Sequence, residues 1–296
     1  MTEVKLFRHY AHLHFIVILL GFTAILGALI SIDAIPLVWF RMFLAAVGLF
    51  IYLKYKRISI SLTLKEQIHL YAIGLLVALH WVTFFHAIKV SNVSVTLGVF
   101  ASTTLFTSFL EPFLQKRKVL WLEVLIGLVI IGGIYLIFQY EMEYVEGILF
   151  SLLSAFLNGL FVVLNRNISR RWNPALISFY EMIGGFLGIS LLFIFSGTIF
   201  MHLTSLDLRD FIWILILGFL CTSYAFAAIV EIMKELSAYT VVLAINLEPV
   251  YGIILAFFIF GEAERMSGGF YLGTLIIIMS VFSYPYLKRK VSFKKF

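Results

Sequence analysis

Charge is absent from this chain in long, regularly spaced stretches, and that spacing limits its fold more than any other feature. Apolar runs of about 20 residues, the length needed to cross a bilayer's hydrocarbon as a helix, follow one another at 12–30, 36–53, 67–88, 92–114, 120–138, 146–165, 175–197, 210–232, 238–260 and 269–287. Only 13% of the 296 residues are charged and 62% are hydrophobic. A soluble domain carries about a quarter charged residues, so this chain has too few to cover a water-facing surface. In lipid every backbone N–H and C=O must be satisfied within the segment, which a helix does. The expected fold is therefore an all-α integral membrane protein with ten transmembrane helices. The first run follows Lys5 and Arg8, lacks an evident small-residue cleavage site and has many successors, so it reads as an uncleaved span and not a signal peptide.

Loop charge tests the count. With the N-terminus inside, 18 of the 22 Lys and Arg fall on the inner side: Lys5, Arg8, Lys54, Lys56, Arg57, Lys65, Lys116, Arg117, Lys118, Arg166, Arg170, Arg171, Lys234 and five from Lys288 onward. Outside fall Lys89, Arg209 and Arg265, together with the acidic stretch Glu141, Glu143 and Glu146, which reads as a solvated loop. This is the positive-inside pattern, and one missed span would invert every later loop. Both termini are expected in the cytoplasm, in a bacterial inner membrane. The net charge of +6 is spent on these loops, so nucleic acid is not an expected partner. Cys221, the single cysteine, lies inside an apolar run and reads as a buried, inert thiol.

The chain also resembles itself. A shift of 146 places Ser91-Asn-Val-Ser-Val-Thr on Ser237-Ala-Tyr-Thr-Val-Val, Gly127 on Gly273 and Lys89 on Glu235. A shift of 140 places Arg41-Met42 on Glu181-Met182, Ala45 on Gly185 and Gly48 on Gly188, and a shift of 138 places Leu20-Gly21 on Asn158-Gly159. Five spans are followed by five, in halves 1–140 and 141–296. Five is odd, so the second half enters the membrane inverted, as in transporters that expose a central site to each side in turn.

The residues that carry a wider resemblance are Trp39-Phe40-Arg41-Met-Phe-Leu-Ala-Ala46 in the second run, Ser237-Ala-Tyr-Thr leading to Glu248-Pro249, and Gly261-Glu262. They resemble the EamA repeat of the drug/metabolite transporter superfamily, whose aromatic amino-acid exporters share the ten-span layout. The resemblance implies a central cavity and movement of small organic solutes. The first half departs from the pattern: Ser102-Thr103 stand where Glu248-Pro249 would be matched, Lys116 stands for Glu262, and Glu111-Pro112 comes later in the fourth run.

Charges within a membrane are costly and face protein or water. Glu248 falls near the middle of the ninth run. Pro249 beside it would free the carbonyl of Ile245, so a carboxylate and a carbonyl would meet at mid-depth, suited to an ammonium group or a proton; a structural kink is the simpler alternative. Tyr251 shares the Glu248 face and Asn246 precedes it. His80, with Trp81 and Phe84, either binds a carboxylate, carries a proton, or is satisfied by a neighbouring helix. Ser102 and Thr103 line a cavity or join helices. Asn158 and Tyr224 fall near mid-span as cavity-lining candidates. Arg41 near one mouth and Glu181 near the other read as gate residues or as side chains snorkelling to the interface. Glu111 and Glu231 fall at cytoplasmic helix ends, with structural roles. No His-x-x-x-His pair or acidic cluster suggests a metal, and no cofactor or nucleotide motif is present.

Together these features lead to the expectation of a secondary transporter of small metabolites such as amino acids. It would be a monomer or homodimer, not an enzyme, working as an exporter by alternating access, with the bilayer around it and protons as coupling ion. A membrane-embedded enzyme acting on a lipid-linked substrate is the alternative, and it would need a nucleophile, a metal or paired carboxylates near one interface.

Overall fold

The computed structural model describes residues 3–116, 118, 120–168, 171–198, 206–232, 241 and 244–293. Among them are α-helices and short 3-10 and π segments, and no strand. The helices are α1 (Glu3–Leu29), α2 (Ala34–Tyr55), α3 (Leu64–Val90), α4 (Val93–Phe100), α5 (Thr103–Gln115), α6 (Trp121–Tyr140), α7 (Val145–Ile168), α8 (Pro174–Ser196), α9 (Leu208–Leu215), α10 (Ala225–Ile232), α11 (Glu248–Phe260) and α12 (Gly268–Phe293). Eight stretches among the described residues are long and apolar enough to cross a membrane, with Val93–Leu114 taken as one and Leu208–Ile229 as another. Lys234, Glu235 and Ser237-Ala-Tyr-Thr lie outside the described residues.

Local chemistry sets the helix ends. Thr63 and Glu66 form a reciprocal capping box on α3. The side chains of Asn92, Asn173 and Asp207 accept from backbone N–H groups at the starts of α4, α8 and α9. Gly197, at φ +70°, closes α8 in the left-handed conformation.

Two spans are not the continuous helices expected from their runs. The run at 92–114 is broken at Ala101–Ser102 into α4 and α5, and the described part of the run at 238–260 turns at Asn246–Leu247 before α11 begins. Under the 146-residue shift, Ala101–Ser102 falls on Leu247–Glu248, so both halves interrupt the same span at nearly the same place. A third irregularity joins α9 to α10: Ile216–Tyr224 is a π-helical segment. There Thr222 Oγ1 donates to Leu217 O at 2.7 Å and Ser223 Oγ to Gly218 O at 3.0 Å, each five residues back.

Helix packing repeats the internal correspondence. α2 packs on α8 and α6 on α12, each helix against its own counterpart in the repeat, and α4 packs on α11, the helix that follows the break in the other half. Glycines make the crossings. Gly21 of α1 lies against the backbone of Glu248 and Gly252 in α11, and its counterpart Gly159 of α7 lies against Phe106 and Thr107 of α5. Gly74 of α3 meets the carbonyl of Glu181, and Gly218 of the π segment lies near the carbonyl of Arg41. Gly133 and Gly273 each face the other's carbonyl across α6 and α12. Small residues let membrane helices approach closely enough for backbone-to-backbone contact.

In the acidic stretch after α6, Glu143 and Glu146 are exposed as expected, but Glu141 is not. Glu141 is 5% exposed, and its Oε1 accepts from the N–H (3.0 Å) and hydroxyl (2.6 Å) of Ser267, just before α12. Glu264, 4% exposed, accepts from the N–H groups of Val93 (3.0 Å) and Ser94 (2.8 Å) at the start of α4. Each carboxylate accepts from backbone N–H groups at or just before a helix start.

Candidate functional site

The interrupted spans bring polar groups into the interior. Ser102 at the first break is fully buried, and its Oγ has no hydrogen-bond partner. The hydroxyls after it are used locally: Thr103 donates to Phe100 O (2.8 Å), Thr107 to Thr103 O (2.9 Å) and Ser108 to Leu105 O (2.7 Å). At the second break Pro249 does not kink a continuous helix. It occupies the first turn of α11, where a missing N–H costs nothing. Leu247 N bonds Ala244 O at 2.9 Å and Tyr251 N bonds Leu247 O at 3.0 Å. Glu248 is half-buried at the N-terminus of α11, where the helix dipole favours a carboxylate.

Arg41 does not snorkel to an interface. It is 3% exposed, and its guanidinium lies 3.6 Å above the Trp81 ring and 5.5 Å from that of Phe85. Its Nε donates to Thr222 Oγ1 at 3.0 Å, so the π segment and α3 together turn it inward. Nη1 is buried and has no partner. Glu248 lies within electrostatic reach of Arg41. Glu181, 2% exposed, is likewise buried in the protein; Asn165 of α7 donates to it, and its Oε1 has no hydrogen-bond partner.

His80 is 6% exposed. Its Nδ1 lies 2.8 Å from Ser154 Oγ and 3.1 Å from Ser154 O, and Ser154 Oγ donates to His80 O at 3.1 Å. A carbonyl can only accept, so these distances fit an Nδ1–H tautomer with the Nε2 lone pair left over. The ring stacks between Phe100 (5.5 Å) and Phe161 (6.3 Å), and Phe84 meets Phe100 edge-on at 5.3 Å. The structure thus forms two adjacent groups: Arg41, Trp81, Thr222 and Glu248, and His80, Phe84, Phe100 and Ser154. Ser102 follows Phe100 at the break.

Other expected residues stand apart from these groups. Tyr224 is 39% exposed and pairs with His12 Nε2 at 2.8 Å. Tyr251 pairs with His14 Nδ1 at 2.9 Å, one turn beyond Glu248. Asn158 and Asn246 are half-buried. Glu111 precedes Pro112 in α5, which packs on α6 and α7. Glu231 accepts from Tyr52 at 2.7 Å and pairs with Lys56 at 3.4 Å.

Sequence reasoning missed Thr222, His12, His14 and Asp210. The Thr-Ser pair in an apolar run and the His-x-His in the first run were the available signals. Asp210 gave no sign of its partner: it accepts from Ser31 N (2.9 Å) and Ser31 Oγ (2.5 Å), while Lys89 Nζ donates to Ile30 O at 2.8 Å. Beside this junction lies a pocket of about 560 Å³ lined by residues that include Ser31, Lys89, Asn92, Phe260 and Glu264. No group of three or more His, Cys, Asp or Glu able to hold a metal occurs among the described residues.

No curated protein matches the chain. Twenty-two solved chains do. One crystal structure aligns over 95% of this chain and 97% of its own at 15% identity with a TM-score of 0.62, a likeness of fold. The model of the EamA-like transporter family matches twice, at residues 12–139 and 145–284. These two matches divide the chain where its glycine crossings and helix breaks recur: it belongs to the EamA-like transporter family.

Proposed function

We propose that the chain is a secondary transporter that moves small organic metabolites, amino acids among them, across the bacterial inner membrane by alternating access. In this reading ten spans form two inverted halves, 1–140 and 141–296, both termini are cytoplasmic, and export is the working direction. The observation that carries it is that buried Arg41 and half-buried Glu248, opposite charges from different halves, lie within electrostatic reach of each other beside a helix break. Broken helices at mid-membrane are where transporters of this architecture bind their cargo, and isolated intramembrane charges are retained for function.

Glu248 is assigned the ammonium or the coupling proton, and the substrate's body lies against Trp81, Phe84 and Phe100. The test is flux of labelled amino acids in proteoliposomes, wild type against Glu248→Gln, under imposed pH gradients. Loss of pH-driven flux in the variant is expected. Full flux with unchanged pH dependence would remove Glu248 from the mechanism. No flux of any small solute in the wild type would sink the transporter assignment for this chain's site.

A further inference from the structure

We propose that Glu181, paired with Asn165, is a proton-binding site separate from Glu248, and that it carries the proton that couples solute movement to a pH gradient. The inference rests on the transport reading above and names the residue that links flux to protons. Glu181 is 2% exposed and lies about seven residues, roughly 10 Å, from the start of α8. Asn165 of α7 donates to it. Two acceptors at this contact are buried without a hydrogen-bond partner, Glu181 Oε1 and Asn165 Oδ1. They belong to the two members of one pair. A protonated carboxyl can donate, and an amide oxygen can only accept. One proton between the two groups therefore satisfies both orphans and leaves the amide N–H bond in place. The ionised carboxylate would leave both orphans and a charge away from water.

No other charge answers Glu181. α8 packs on α2, α3 and α10, and the titratable groups on these elements nearest that end are engaged elsewhere. Tyr71 donates to Gln67 at 3.4 Å and Tyr180 to Ile60 O. Glu66 is bonded to Thr63, and Glu231 to Tyr52 and Lys56. Further along, His80 is held by Ser154 and Arg41 by Thr222. Among the described residues no Lys, Arg or His pairs with Glu181.

The packing says when water reaches the pair. Gly74 of α3 lies against the backbone of Glu181, and Gly184 of α8 lies against the backbone of Tyr71. Tyr180 ties the α2–α3 connection to α8 through Ile60 O. Parting α3 from α8 would admit water to Glu181. α3 also carries His80 and Trp81, so the same movement shifts the aromatic wall of the candidate site. Glu181 takes one proton from water in that opened state, holds it as the neutral acid against Asn165 when the helices close, and returns it to water at a later opening.

The experiment uses proteoliposomes of the full-length protein with a trapped pH dye and labelled neutral L-amino acids. It reads exchange of labelled for unlabelled amino acid, which needs no net proton movement, and protons moved per solute when amino acid is added to one side. Glu181→Gln, close in shape to the protonated side chain, is expected to keep exchange and to lose both the proton signal and accumulation driven by an imposed pH gradient. Glu181→Asp should restore part of both. Asn165→Ala reaches the same pair from α7 should Glu181→Gln fail to fold; it is expected to lower the protons moved per solute with exchange retained. A wild-type proton signal in Glu181→Gln, or exchange and proton movement lost together in a folded variant, would overturn the inference and leave the transport reading standing. Amino-acid exchange with no proton movement in the wild type would overturn it as well. No exchange in the wild type would remove the transport reading itself.

Discussion

Gly21→Ala is the smallest change that reaches the candidate site through packing alone. A Cβ on Gly21 would lie 2.9 Å from Gly252 N, 3.1 Å from Glu248 O and 3.2 Å from Gly252 Cα. All three atoms are backbone, so no rotamer change can relieve the contact. Ordinary Cβ contacts begin at 3.4 Å; opening the crossing from 2.9 to 3.4 Å moves α1 and α11 apart by roughly 0.5 Å, in proportion to a typical overpacking cost of about 1–3 kcal/mol. The displaced segment is the first turn of α11, so the Glu248 carboxylate moves with it. Thermal unfolding in detergent should show a melting temperature several degrees lower, by the scale of about 2–4 °C per kcal/mol for large domains. Substrate flux should fall at the same time. Gly132→Ala is the control, since a Cβ there meets nothing within 4 Å. Equal melting temperatures for the two variants, with wild-type flux from Gly21→Ala, would refute the argument that this crossing is closed to any side chain.

Asp210→Asn weakens the junction that ties Ser31 to the start of α9 at the proposed outer face; a loss of about 1–2 kcal/mol, or five- to thirty-fold in population, should raise labelling of the buried Cys221 by a membrane-impermeant maleimide applied from outside, and an unchanged labelling rate would contradict a gating role. Glu264→Ala leaves the Val93 and Ser94 donors without their acceptor and should cost about 0.5–2 kcal/mol, the range for lost helix caps, read as a lowered melting temperature. Glu141→Ala should cost a similar amount through Ser267, and a neutral result at both positions would count against buried carboxylate capping.

Eight of the spans were legible because a bilayer writes its thickness into the length of apolar runs. The breaks were harder to see. Ala101–Ser102 contains neither glycine nor proline, and only its correspondence to Glu248-Pro249 hinted at an irregular backbone. Pro249 pointed to the right place with the wrong geometry, since a proline in a first turn leaves no local mark distinguishing it from one in a helix interior. Arg41 was placed by counting residues from a helix end, which gives depth and says nothing of direction; Thr222, 181 positions away, supplies the direction. The same distance hides the caps: Glu141 looked solvated because Ser267 lies 126 residues on. His12 and His14 belong to pairings with Tyr224 and Tyr251 that no local pattern announces.

The helix breaks also bear on how the protein enters its membrane. At about 1.5 Å per residue, the eight residues of α4 span roughly 12 Å and the thirteen of α11 roughly 20 Å, against about 30 Å of hydrocarbon. Neither half-helix can hold a transmembrane position by itself, and the backbone groups at each break need protein around them before lipid can be tolerated. The partners arrive unevenly during synthesis. The α1 that seats α11 is made first, while the α7 that covers α4 and α5 is made after them. The first break therefore waits, half-inserted, for the opening helix of the second half, and a ribosome stalled before α7 should leave a nascent chain that quality control can recognise.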